Sequence, residues 1–205
     1  YVLGASPERF LCKRGNQLIS QPIKGTAKRG ESKADDENIK KALKVDLKEQ
    51  TENVMIVDLV RNDLSRTAAK GSVKVEELFG VYSFPQVHQL ISTISSQLAE
   101  KYHFVDAIKF AFPMGSMTGA PKISAMKIAD DLETTNRGLY SGSIGYIEPN
   151  GDFDFNVVIR SLVYDADSKY LSLSVGGAIT DGSDPVKEYD ECLLKAKAIF
   201  EPTIS

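Results

Sequence analysis

Lys24 stands two residues after Pro22 and directly before Gly25, in the run from Gln21 to Gly30. The proline restricts the backbone on the way in, and the glycine permits a sharp turn or a close approach to a ligand. Thr26, Lys28 and Arg29 then crowd donors and positive charge into the next few positions. A lysine held this way can serve as a nucleophile or base when its surroundings favour the neutral amine. The plainer alternative is a solvated Pro-Gly turn with basic decoration.

Four carboxylates form two pairs of one spacing: Glu49 with Glu52, and Glu188 with Glu191. On a helix, residues three apart share a face, with Cβ atoms about 5–6 Å from each other. Two such helices facing one another could offer four oxygen ligands to a hard cation, Mg²⁺ first among them. The alternative is a pair of solvated helix faces, since Lys48, Lys187 and Lys195 lie close by.

The stretch Gly115 to Lys122 has the composition of an anion cradle, with bare backbone N–H groups ahead of a helix start. It lacks the Gly-Lys-Ser/Thr ending of a nucleotide-binding P-loop. Gly176 and Gly177 offer a second close backbone approach, or a simple turn. His88 falls on the apolar face of a strand pattern, where a lone histidine is more often a satisfied core residue than an acid or base. Arg160 sits in a run that reads as a buried strand and calls for a partner or an anionic ligand. Tyr140, flanked by glycines, is a hydroxyl donor at the start of a strand.

These residues need elements to hold them. Ile39, Leu43 and Leu47 recur every four residues and predict one helix stripe, with Glu49 and Glu52 continuing it. Val54 to Val60 is a strand or a continued helix; periodicity alone does not choose. Strands are expected over Tyr1 to Leu11, Gln17 to Ile19, Val73 to Val75 and Val81 to Phe84, and a long one over Val87 to Leu98. A helix from Phe104 stops at Pro113, and another carries Ile123, Met126, Ala129 and Leu132. Ser143 to Glu148, Phe153 to Tyr164 and Tyr170 to Val175 read as an antiparallel meander. A helix begins at Asp184-Pro185 and runs to Phe200. Strands and helices mix without regular βαβ alternation, which predicts an α+β fold.

The 205 residues are enough for one sizeable domain or two small ones, and one domain over residues 1–205 is expected. Net charge is −3, too near neutral to suggest nucleic acid or a membrane surface as partner. No apolar run approaches the roughly 18–20 residues of a membrane span. Cys12 and Cys192 are isolated and fit neither a disulfide framework nor a metal-ligand spacing. With no signal peptide in view, a cytoplasmic setting is expected. Tyr1 reads as mid-strand, so upstream residues are expected beyond this chain.

Together the motifs resemble those of the chorismate-utilising enzymes, the family of anthranilate synthase component I, aminodeoxychorismate synthase component I, isochorismate synthase and salicylate synthase. The likeness covers Ser6 to Phe10, Pro22 to Thr26, Glu52 to Leu64, Val87-His88, Gly115 to Lys122, Arg137 to Gly142, and Asp184 through Glu188, Glu191 and Lys195. It implies two facing antiparallel sheets with helices outside, completed by an N-terminal portion. It also implies Mg²⁺ held by Glu52, Glu188 and Glu191, with Glu49 beside them, gripping the ring carboxylate of chorismate. Tyr140, Arg160, Gly176 and Gly177 would hold the enolpyruvyl carboxylate, with Ser116 and Thr118 adding hydroxyls. Lys195 would assist at the ring carboxylate, and His88 would sit beside the departing C4 hydroxyl. The family often has Thr where this chain has Ser116, and the hydroxyl survives the change.

Within that family, Pro-Ile-Lys-Gly-Thr resembles the aminodeoxychorismate synthases, whereas anthranilate synthases usually carry a small residue in place of Lys24. The resemblance implies that Lys24 attacks C2 as water leaves C4, that Glu8 assists proton transfer, and that a glutamine amidotransferase subunit supplies ammonia. The rivals are anthranilate synthase chemistry, a chorismate-binding remnant without turnover, and a nucleotide-binding module.

Overall fold

The structure is a computed structural model and describes residues 1–204. In chain order its strands are β1 (Val2–Gly4), β2 (Arg9–Arg14), β3 (Gln17–Gln21), β4 (Ile23–Lys28), β5 (Lys74–Ser83) and β6 (Val87–Gln97). They continue with β7 (Ser143–Ile147), β8 (Phe153–Val157), β9 (Ser161–Asp165) and β10 (Tyr170–Leu173). The α-helices are α1 (Lys33–Val45), α2 (Leu47–Ser65), α3 (Phe104–Ala111), α4 (Lys122–Leu132) and α5 (Pro185–Ile204). The fold is α+β, as expected, and every strand pairing with a described register is antiparallel. Among the described residues no helix is long and apolar enough to cross a membrane.

The chain divides into two compact units. One comprises Glu8–Thr134 and Gly145–Asn156; the other comprises Tyr1–Pro7, Thr135–Ile144 and the chain from Val157 onward. The first is organised on β6. This strand pairs with β5 along one edge and with β3 and β4 in succession along the other. β2, β8 and β7 extend the same seven-stranded sheet beyond β3. Leu90, Ser92 and Ile94 are completely buried, because α2 packs on the sheet and closes over them.

α2 explains how an ambiguous apolar run resolves. Asp46 caps the helix, its carboxylate accepting from the N–H groups of Lys48 and Glu49. Asn53, Ile56, Val57, Val60, Asp63 and Leu64 then recur on one buried face, so Val54 to Val60 is helix. The same cap corrects the expected single stripe. The chain leaves α1 at Asp46, and Leu47 opens a new helix with its side chain exposed.

Three other expectations change. Tyr1 to Leu11 splits at Ala5–Glu8 into β1 and β2, which join different sheets. The two short strands expected around Val73 and Val81 are one, β5, with register shifts that let it follow β6. Phe153 to Tyr164 breaks at Val158–Arg160, and β8 and β9 belong to separate sheets, so there is no continuous meander. The second unit holds the three-stranded sheet β1–β9–β10 and α5.

Candidate functional site

The register of β4 against β6 shifts between Ile23 and Thr26, placing Lys24 and Gly25 in a bulge. Bulges re-aim side chains. Here Gly25 has φ +84°, and a Cβ at that position would lie 3.1 Å from Glu49 Oε2 and 3.2 Å from both Leu43 and Leu90. Any side chain would therefore be strained in its backbone and crowded by α1, α2 and β6. The bulge brings Lys24 Nζ to 3.4 Å from Glu52 Oε2. The lysine side chain is 19% exposed, so its amine is not out in bulk water. Burial first, and the charge of Glu52 second, push the Glu49 carboxyl above its ordinary pKa. Lys24 and both carboxylates of the first pair thus form one cluster.

Glu8 feels the charge of the same lysine. It is 6% exposed, and burial raises its pKa from 4.5 to about 7. The Ser116 hydroxyl, the charge of Lys24 and the backbone at Ile23 oppose that shift without cancelling it. Ser116 belongs to a single 3-10 turn, Gly115–Met117, that packs tightly on α2; a Cβ on Gly115 would lie 3.0 Å from Leu59 Cβ. Thr118 donates its hydroxyl to the carbonyls of Met114 and Gly115, both at 3.2 Å, and so closes the turn. Lys122, the last residue of the expected anion cradle, is turned into the protein. It bonds Asp63 and the carbonyls of Ala111 and Pro113.

His88 is completely buried on β6, with both ring nitrogens engaged. Nε2 is 2.8 Å from Asp36 Oδ1, and Nδ1 is 2.9 Å from Ser83 Oγ. A carboxylate only accepts, so Nε2 carries the proton toward Asp36. Asp36 is fixed in turn by two hydrogen bonds from Arg29 and one from the Gly30 N–H. These bonds, that from Arg29 above all, hold its carboxyl well below the usual carboxylate range.

The second unit gathers the remaining candidates. A Cβ on Gly176 would meet the Tyr140 hydroxyl at 2.6 Å, and one on Gly177 would meet Glu188 Oε2 at 3.2 Å. Lys195 Nζ donates to the Gly176 carbonyl at 3.0 Å and pairs with Glu191 Oε1 at 2.5 Å. Glu188 accepts from Ser183 Oγ. Arg160 donates to the Lys195 carbonyl at 3.4 Å. It has φ +52°, a left-handed conformation costly for a residue with a Cβ, and it sits between β8 and β9 and not within a strand as expected. The glycines leave room for Tyr140 and Glu188, and the strained turn supplies the arginine.

Each unit therefore collects its own share of the expected residues. Lys24, Glu8, Glu49, Glu52 and the Ser116 turn lie in the first, with His88 on the same sheet. Tyr140, Arg160, Gly176, Gly177, Glu188, Glu191 and Lys195 lie in the second. The carboxylate chemistry of the Glu49–Glu52 pair suits a hard cation, whose charge would offset the burial and the repulsion from Glu52 that raise Glu49. Among the described residues no group of three or more His, Cys, Asp or Glu is drawn together as a metal site. Sequence reading missed Asp36 and the Asp63–Lys122 pair. Their partners stand 52 and 59 positions away, and no local pattern marks such a contact.

A family model described as chorismate binding enzyme matches residues 1–201. Aminodeoxychorismate synthase, chloroplastic, from Arabidopsis thaliana is 48% identical over 198 residues, which is 96% of this chain and 21% of that protein. Aminodeoxychorismate synthase component 1 from Escherichia coli K12 is 44% identical over 200 residues, 98% of this chain and 44% of that protein. The crystal structure of anthranilate synthase component I from Streptococcus pneumoniae superposes with a TM-score of 0.82 at 33% identity, covering 97% of this chain and 43% of that one. The chain thus spans less than half the length of each.

Proposed function

The chain belongs to the chorismate-binding enzyme family, and from that premise we propose that the protein it comes from is an aminodeoxychorismate synthase component I, converting chorismate to 4-amino-4-deoxychorismate. The observation that carries this reading is Lys24 on its bulge, 3.4 Å from Glu52 and coupled to the buried Glu8. In the proposed reaction the Lys24 amine bonds to C2 of chorismate as the C4 hydroxyl departs, taking up a proton to leave as water. Ammonia then bonds to C4, and the C2–lysine bond breaks. Splitting one displacement in two is the advantage of covalent catalysis. Glu8, a carboxyl poised near neutrality, suits moving the proton that the attacking amine must lose.

Mg²⁺, held by Glu52, Glu188 and Glu191 with Glu49 beside them, would neutralise the ring carboxylate and favour departure at C4. Arg160 suits bidentate capture of the enolpyruvyl carboxylate, with Tyr140 and the backbone of Gly176 and Gly177. Ser116 and Thr118 are proposed substrate contacts, His88 a neighbour of the leaving hydroxyl, and Lys195 a partner of the ring carboxylate. A glutamine amidotransferase subunit is the proposed ammonia source, and the cytoplasm the proposed setting.

The test is product analysis with full-length protein, chorismate, Mg²⁺ and ammonium. Aminodeoxychorismate is expected. Anthranilate as sole product assigns the other branch of the family and rejects this one, while Mg²⁺-dependent chorismate binding without product marks a non-catalytic remnant.

A further inference from the structure

Lys122 and Asp63 form a charged contact for which the proposed chemistry has no use. Asp63 is 4% exposed on the inner face of α2, and Lys122 is the first residue of α4. The ammonium has three donors and three protein acceptors: Asp63 Oδ2 at 2.5 Å, Pro113 O at 2.7 Å and Ala111 O at 3.3 Å. It therefore ties α2 to the end of α3 and to the chain that leads into the Gly115–Met117 turn. Burying a lysine and an aspartate away from water is costly, and such pairs often add little stability over an apolar substitute. Both ends of the Ser116 turn are thus fixed at one ammonium, before the turn at Ala111 and Pro113 and after it at Lys122 itself.

Two polar atoms nearby have bonding capacity left over. Asp63 Oδ1 is buried without a hydrogen bond, and the buried Ser116 Oγ has only its contact with Glu8. Both residues line a cavity of about 20 Å³ together with Glu8, and Leu64 and Met114 are among its apolar walls. That is room for one water molecule, which needs two to four polar partners to stay. The Ser116 hydroxyl faces Glu8 and favours its ionised form.

Resting on the chorismate reading for its catalytic consequence, we propose that Asp63 and Lys122 are positioning residues. They lock the turn that holds the Ser116 hydroxyl against Glu8, and one ordered water joins Asp63 Oδ1 to Ser116 Oγ in the cavity between them.

The experiment uses the full-length protein, its Lys122→Met and Ser116→Ala variants, and the double variant. Amide hydrogen exchange should rise at least about tenfold across residues 114–118 in Lys122→Met while the β6 amides keep their protection. That readout needs no turnover, so it tests the clamp even if the chorismate reading fails. In the activity assay Lys122→Met should lower kcat/KM by roughly 10- to 100-fold, because the displaced turn carries both the Ser116 partner of Glu8 and the proposed substrate contacts. Added to Ser116→Ala, it should cost little more, because both changes break one linkage. A Lys122→Met protein that is less stable but keeps wild-type exchange at 114–118 overturns the proposal. So do losses that multiply in the double variant. Should Lys122→Met fail to fold, a crystal structure of the unaltered full-length protein decides: a water bonded to both Asp63 Oδ1 and Ser116 Oγ supports the linkage, and a dry cavity overturns it.

Discussion

Replacing Glu8 with glutamine should make the protein more stable in alkaline solution and much less active. The folded carboxyl has a pKa of about 7 against an ordinary 4.5. Below the lower value it is protonated in both folded and unfolded chains and costs nothing. Between the two values the unfolded chain gives up its proton while the folded chain keeps it, so stability falls as pH rises. Above about 7 both are ionised and the loss is complete. At 1.36 kcal/mol per pKa unit the full loss is roughly 3 kcal/mol, of which about 2.5 falls between about pH 5 and pH 8. Glutamine is neutral throughout and escapes it. Urea unfolding of full-length wild type and Glu8→Gln at those two pH values should show the variant gaining on the wild type by that amount. The same substitution removes the group proposed to move the Lys24 proton, so kcat should fall by about 10²- to 10⁴-fold. A stability difference that is flat with pH, or that grows in favour of wild type, would refute the burial argument.

Lys24→Ala should abolish aminodeoxychorismate formation to the extent of at least about 10³-fold, with product analysis showing a shift toward anthranilate if this lysine divides the two chemistries. Asp36→Asn should remove an acid-sensitive contribution to stability. Because the folded carboxyl is held low, that contribution is present above about pH 4 and is lost as pH falls toward the folded value, so thermal melts of wild type and variant should converge in acid. Phe153→Ala, at a completely buried position between Phe104 and Phe155, should cost about 3–5 kcal/mol by urea unfolding without altering the product.

What could be read without coordinates was what repeats locally. The alternation of Val87 to Leu98 gave a long strand, and the two Glu pairs fall on α2 and α5 at the spacing that prompted them. Val54 to Val60 was opaque because a β-branched run satisfies strand propensity and helix burial alike; Asn53 and Asp63, polar yet buried, carry the helical period past the apolar residues. The break between β8 and β9 was invisible for a different reason. A positive φ at Arg160 is an exception to the rule that such turns use glycine or asparagine, so composition gives no warning. The Lys24 bulge was half legible: Pro22 and Gly25 announce a turn, but only the β4–β6 register shows that the turn presses Gly25 against Glu49.

Glu8 and Asp36 show why burial alone does not identify a working acid or base. Both are buried carboxyls in the same unit. Asp36 accepts from Arg29, from the Gly30 N–H and from His88, all of which favour the anion more than burial opposes it. A carboxylate in that state cannot take up a proton near neutrality, and its use is to hold His88 in one tautomer and one orientation. Glu8 has weaker support from Ser116 and Lys24, and burial prevails. Its proton is therefore exchangeable at the pH where an amine must lose one to attack. The two environments differ in how heavily burial weighs, most at Glu8, and in the guanidinium and imidazole that only Asp36 has around it. An arginine brought beside Glu8 would lower its pKa toward the ordinary carboxylate range and weaken its use in proton transfer.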